Sequence, residues 1–307
     1  MDKTLKSRRM LPVPSLALTI HTFENTLRFS AGRKENWEEP RMFVTPRRKV
    51  VFVVLAALAL VALPALVMAT HSWNGYHWAR TSNPFTLKLG DNVSSQWDSY
   101  LVTTRNDWSL SSVVDMTIVP GSVRNPKNCK ATSGRVEVCN STYGNNGWLG
   151  VAQVWVSGGH ITQGTVKLND TYFNTSTYNT PGWRNLVSCQ EVGHTIGLDH
   201  QDENFNNANL GTCMDYTSNP YGPPTNEHPN SHDYAELSTI YSHLDSSTTV
   251  GQAAGKMPPA MNDAEFDTPA QWGRVIKGSR EKGVSIHDLD FGNGNHIFTF
   301  VYWTREQ

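Results

Sequence analysis

The sequence predicts an α+β domain that is exported from the cytoplasm and carries a small β extension at its C-terminal end. Three observations predict it. Short strand-like runs at 113–119, 135–139, 149–156 and 165–169 lie between stretches whose apolar residues recur at helical spacing. A basic cluster, Arg47, Arg48 and Lys49, precedes an uncharged apolar run over 50–69. After a stretch rich in Ser, Gly, Ala and Pro at 246–265, strand-like alternation returns at 274–277, 284–289 and 296–303.

The chain has 307 residues, 38% of them hydrophobic, and a net charge of -1. It can bury a sizeable core, and its charge balance gives no reason to expect a nucleic-acid partner. Residues 1–41 are polar with no sustained hydrophobic period, the pattern of a disordered extension or of a start assigned upstream of Met42. Residues 42–69 have the parts of a secretory signal, with cleavage expected after Ala69. At about 20 residues the apolar run is also long enough to remain as a membrane anchor, although Pro64 and the Ala-rich end favour processing. Either outcome places the rest outside the cytoplasm. The main domain is then 70–245, followed by a linker at 246–265 and an extension at 266–307 that is expected to pack on the main domain rather than stand alone.

From 71 to 150 the chain is rich in Trp, Asn and Ser and poor in charge, as in an exported domain with many turns. Val93, Trp97, Tyr100 and Leu101 share a helical face over 92–104. The strand at 135–139 is expected to be one arm of a hairpin closed by Cys129 and Cys139. Strands 149–156 and 165–169 are linked through Ser157, Gly158 and Gly159. Pro181 suits a helix start, where a missing N–H costs nothing, and Trp183, Leu186, Val187 and Val192 supply that helix's buried side. The Asn-rich loop after His200 reads as a surface excursion. Asp233 with Glu236 marks a further helix start, with Leu237, Ile240, Tyr241 and Leu244 as its apolar face. Gly292, Asn293, Gly294 and Asn295 make a hairpin turn. Asn92, Asn140, Asn169 and Asn174 stand in N-x-S/T contexts, which chance accounts for in a chain this rich in Asn and Thr.

The four cysteines form an even set, which suits disulfides in an exported protein and leaves three pairings open. The favoured pairing joins Cys129 to Cys139 and Cys189 to Cys213, the second closing a loop worth about 3 kcal/mol of unfolded-state entropy. Buried free thiols are the alternative.

The chemistry concentrates in 190–200, QEVGHTIGLDH. On a helix Gln190 and His194 point the same way with Glu191 beside them. Gly197 can take the left-handed conformation that ends a helix and turns the chain back, so that His200 meets the first pair. This resembles the metzincin metallopeptidase signature HExxHxxGxxH, in which three histidines hold zinc and the glutamate handles protons. The chain departs from it at the first position, where Gln190 replaces the zinc-binding histidine. Met214 fits the Met-turn of that family. Tyr216, two residues on, resembles the astacin and serralysin branches, while the rhythm of the helix after Asp233 resembles the matrixins.

The resemblance implies a metzincin-like catalytic domain with a mixed twisted sheet, a motif helix and a C-terminal helix. It implies a secreted zinc endopeptidase acting on an extended peptide or protein along an edge strand. Gln190 through its amide oxygen, His194 and His200 would be the zinc ligands, Glu191 the general base, and Tyr216 a donor to the oxyanion. A membrane enters only through an uncleaved 42–69 segment, and no signal for oligomeric state is present. The alternative from a different class is a non-catalytic exported binding module that keeps the fold and has lost tight zinc binding through Gln190. His160 reads as an exposed loop histidine rather than a replacement ligand, and His228 and His232 carry no metal spacing. Neither GxSxG nor a Gly-rich phosphate loop is present, nor a sequence resembling the inhibitory Cys prosegment of matrixins.

Overall fold

Strands with alternating or continuous burial build one mixed sheet, backed by two principal helices. A computed structural model describes residues 70–252, 257–263, 266 and 268–304. The segments at 1–41 and 42–69 lie outside the described residues. Among the described residues no helix is long and apolar enough to cross a membrane.

The strands are β1 (His77–Trp78), β2 (Phe85–Asn92), β3 (Val114–Pro120), β4 (Val136–Ser141), β5 (Trp148–Ser157), β6 (His160–Asn169), β7 (Arg274–Ser279), β8 (Val284–Asp290) and β9 (Asn295–Trp303). Their order is β3-β2-β4-β6-β5-β9-β8-β7, with β1 pairing parallel to the start of β6. β3, β2, β4 and β6 run parallel, and from β6 through β5, β9, β8 to β7 every pair is antiparallel. Two principal helices are α1 (Asp98–Trp108) and, after the single turn α2 (Asp170–Phe173), α3 (Pro181–His194). They are followed by α4 (Ser231–Ile240) and the short α5 (Pro259–Asp263).

Several elements differ from their sequence expectation for identifiable reasons. The alternation of Phe85, Leu87 and Leu89 makes β2 a strand that runs as far as Asn92, so α1 begins later than 92 and continues to Trp108. β4 is not an arm of a hairpin: it lies parallel between β2 and β6, and the Cys129–Cys139 disulfide ties it to the loop before it. Leu244 is exposed beyond the end of α4, which stops at Ile240. That helix is capped by Asn230, whose side chain accepts from the Asp233 N–H while Asp233 accepts from the Asn230 N–H.

The C-terminal extension does not form a separate sheet packed on the main one. β9 pairs with β5 from Trp148↔Trp303 to Ser157↔Asn295, so that β7, β8 and β9 continue the main sheet. Side chains on β9 alternate between two cores. Phe298, Phe300 and Tyr302 join the core beneath the helices, while Ile297, Val301 and Trp303 join a second core with Trp155, Met257, Met261 and Trp272. The segment read as a linker supplies Met257 and Met261 to that second core. Thr249, in the same segment, donates its backbone N–H to the carbonyl of Ala79.

Three of the asparagines in N-x-S/T contexts have their amides engaged. Asn92 donates to Glu137, Asn140 donates to Asp170, and Asn169 is buried with its amide donating to Gly144, Asn146 and Trp148.

Candidate active site

Helix α3 starts at Pro181 behind Thr180, whose hydroxyl accepts from the Trp183 N–H. Its inner face carries Leu186, Val187 and Val192 into the core, and Trp183 is half-buried. Trp108 of α1 donates its indole N–H to the Cys189 carbonyl at 3.1 Å, fixing the helix against α1. Cys189 is bonded to Cys213, so the loop that carries Met214 is tied to the helix one residue before Gln190.

The helix ends at His194, and Gly197 follows with φ of 101°, the left-handed conformation its spacing implies. A Cβ at Gly197 would stand 2.5 Å from the Tyr76 carbonyl oxygen, so the turn back toward His200 requires glycine twice over. The result brings His194 and His200 together with ring centroids 4.6 Å apart at 78°. Met214 lies beneath the helix: a Cβ at Gly193 would stand 2.6 Å from its sulfur.

Two of the three residues in the ligand positions have one polar atom engaged in a hydrogen bond. Gln190 donates its amide N–H to the Cys213 carbonyl at 2.7 Å, and its Oε1 is buried without a partner. His194 Nδ1 lies 2.8 Å from the Leu198 carbonyl, so it carries the proton and Nε2 carries the lone pair. His200 Nδ1 is 3.4 Å from Asp199 and 3.7 Å from Glu203, at ion-pair range but with no hydrogen bond. Lys277 of β7 reaches the same two carboxylates at 2.8 and 2.7 Å. Sequence reading missed Asp199, Glu203 and Lys277, because a charged loop and a strand distant in sequence carry no shared spacing.

Glu191 is buried against β5, where Gly150 leaves room for it: a Cβ there would stand 2.6 Å from Oε1. Neither of its oxygens has a partner of good hydrogen-bond geometry. Burial raises its pKa well above the ordinary carboxylate value. Burial likewise pushes His194 well below the usual imidazole value, with His200 adding to the effect. At His200 burial acts in the same direction, but Asp199 and Glu203 outweigh it and the pKa is raised.

The C-terminal strands pack against the motif residues. Phe300 of β9 stacks on His194 at 4.2 Å and 13°. Tyr216 stacks on Tyr302 at 4.6 Å and donates its hydroxyl to the Gly283 carbonyl. A groove of about 900 Å³ opens beside Trp183, Arg280 and Tyr302, but none of Gln190, Glu191, His194 or His200 lines it. The motif residues are thus gathered in one place, and Tyr216 is engaged by the extension.

Among the described residues three groups of His, Asp and Glu are close enough to hold a metal ion, and one of them contains His200. At the motif, buried acceptor atoms are available to a cation. The Gln190 oxygen is buried without a partner, and the buried Glu191 carboxylate is approached only by the Ala152 backbone N–H. The two disulfides suit an oxidising compartment. No protein-family model matches this chain, and no curated protein matches it.

Proposed function

We propose that the chain is an exported, zinc-dependent endopeptidase of metzincin type, closed in this conformation by its own C-terminal strands. The Gln190 carboxamide carries the reading. Its N–H is committed to Cys213 and its oxygen is left buried and unpaired, one helical turn from His194. An unsatisfied buried acceptor costs about 1–3 kcal/mol, and a cation held there removes that cost.

Gln190 Oε1, His194 Nε2 and His200 would hold the zinc. The carboxamide is neutral like imidazole, so the net charge of the centre stays at about +2, while the weaker donor loosens retention. When bound, zinc acidifies water and polarises a scissile carbonyl. Glu191 accepts the proton from water and delivers it to the leaving amine, a role its raised pKa suits. Met214 supports the helix at Gly193 from below. Tyr216 holds its proton toward Gly283 in the closed state and offers the same donor to an oxyanion once the turn between β7 and β8 withdraws.

A peptide adding to a sheet needs an unpaired edge. β5, the strand against Glu191, is paired on both sides, so substrate takes that edge only when β9 leaves it. The second reading, a binding module without the metal, draws on the same closure and on Gln190. The full chain equilibrated with zinc and an unfolded peptide pool separates the two. Phe300→Ala, which loosens β9 over His194, is expected to cleave at least about tenfold faster than wild type, and adding Glu191→Ala to abolish it. A zinc-loaded Phe300→Ala chain that cleaves nothing removes the peptidase reading.

A further inference from the structure

Away from the motif, His77, His243 and Asp245 bring their polar atoms within 4.8 Å of one another, and His160 joins them through the same carboxylate. His77 lies on β1, His160 opens β6 beside it, and His243 and Asp245 follow α4. His160 is therefore not an exposed loop histidine. Its Nε2 lies 3.2 Å from Asp245 Oδ1. His243 Nε2 lies 3.1 Å from His77 Nε2 and 3.6 Å from Asp245 Oδ1. His77 Nε2 lies 3.5 Å from Asp245 Oδ2.

We propose that these four residues form a second metal site, a zinc site of structural type that staples β1 and the start of β6 to the chain after α4. Three imidazole nitrogens and one carboxylate oxygen are the donor set of a closed tetrahedral zinc centre, and imidazole-rich sites favour late divalent metals over calcium or magnesium.

The surroundings orient these donors as outer-shell partners of metal ligands do. His77 Nδ1 lies 2.8 Å from the Gly75 carbonyl, which fixes its proton there and leaves the lone pair on Nε2. That lone pair faces the Asp245 carboxylate, so two acceptors oppose each other across 3.5 Å. Arg80, fully buried, holds Asp245 Oδ2 with its backbone N–H at 3.1 Å and its guanidinium at 2.9 Å. Asp245 Oδ1 is left toward the imidazoles of His160 and His243. The same guanidinium donates to the carbonyls of Tyr241 and His243, fixing the backbone that carries the last two ligands. His243 is half-exposed, which gives an ion a path in from solvent.

In the other two groups the carboxylates are already engaged by the protein. Asp233 caps α4 and accepts from Thr212, and Lys277 supplies the cation between Asp199 and Glu203. Among the described residues Arg80 pairs with Asp245 Oδ2 and no lysine or arginine bridges the imidazoles of His77, His160 and His243; protons shared among those imidazoles are the competing arrangement.

The test is the amount of zinc bound per full-length chain at buffered free zinc, for wild type, His243→Ala and His160→Ala, alongside thermal unfolding in chelator and in zinc. Both substituted side chains are partly exposed, so the variants are expected to unfold with wild type in chelator. Each is expected to bind one zinc fewer than wild type and to lose part of the zinc-induced rise in midpoint. If the motif binds no metal, wild type drops from one zinc to none; if it does, from two to one, so the two sites are judged separately. Variants that keep the wild-type zinc count, or a wild type that binds none, overturn the proposal and leave the shared-proton arrangement.

Discussion

The ring of Phe300 lies flat against the ring of His194, with centroids 4.2 Å apart and planes within 13°. A residue of the last strand thus packs on a residue of the motif helix, and the two tyrosines beside them, Tyr216 and Tyr302, repeat the arrangement. Continuity of β9 with β5 makes this more than a surface contact, because breaking it unzips the sheet between the two antiparallel neighbours. For the proposed peptidase this packing would itself supply latency.

Replacing Gln190 by His is expected to tighten zinc binding at least about tenfold, since imidazole is a better zinc donor than a carboxamide oxygen. Competition against a chromophoric chelator measures it. An unchanged affinity would mean that Gln190 does not face the metal.

Glu191→Gln is expected to stabilise the metal-free fold by about 1–3 kcal/mol while removing peptide cleavage, because it takes away a buried carboxylate that only the Ala152 backbone N–H approaches. Urea unfolding in chelator reads the first effect. A clear loss of stability would show that the carboxylate is satisfied in solution.

Cys189 and Cys213 are 24 residues apart, and their bond joins α3 to the Met214 loop. Replacing both by Ala is expected to cost about 3 kcal/mol by the loop-entropy estimate and to weaken zinc binding through a misplaced Gln190. Unfolding and chelator competition on one preparation separate these effects. Stability lost with zinc affinity intact would mean that Gln190 does not depend on the bond.

Glu137 gives a pH prediction at a distance from the metal ligands. Burial disfavours its charge, but donors from Thr132, Ser122, Asn92 and Arg135 prevail and hold its pKa below the ordinary 4.5. The folded state therefore binds this proton less readily than the unfolded chain, and the contribution to stability is full above 4.5 and fades as pH falls through the lowered value. Glu137→Gln is expected to flatten the loss of stability as pH falls below 4.5. An unchanged slope would assign the acid transition to other carboxylates.

The motif helix, both disulfide pairings and most strands were legible because their signals are local: Pro181 at a helix start, Gly197 at its end, alternation at 284–289. The placement of the last three strands was not legible. Alternation shows that 296–303 has two buried faces' worth of apolar residues, but nothing local says that its partner is β5. Nor could spacing join His77 and His160 to His243 and Asp245, since the sheet and α4 bring them together only after folding. β2 was readable from Phe85, Leu87 and Leu89 and was missed because charged and polar residues between them masked a short strand.

The most direct test of the central claim is zinc-edge X-ray absorption of the His243→Ala chain, in which the motif is the remaining site, compared with the same chain carrying Gln190→His. Two imidazoles on zinc, rising to three with the added histidine, is the result expected of a centre built from Gln190, His194 and His200. A chain that holds no zinc, or an imidazole count that the substitution leaves unchanged, would contradict it.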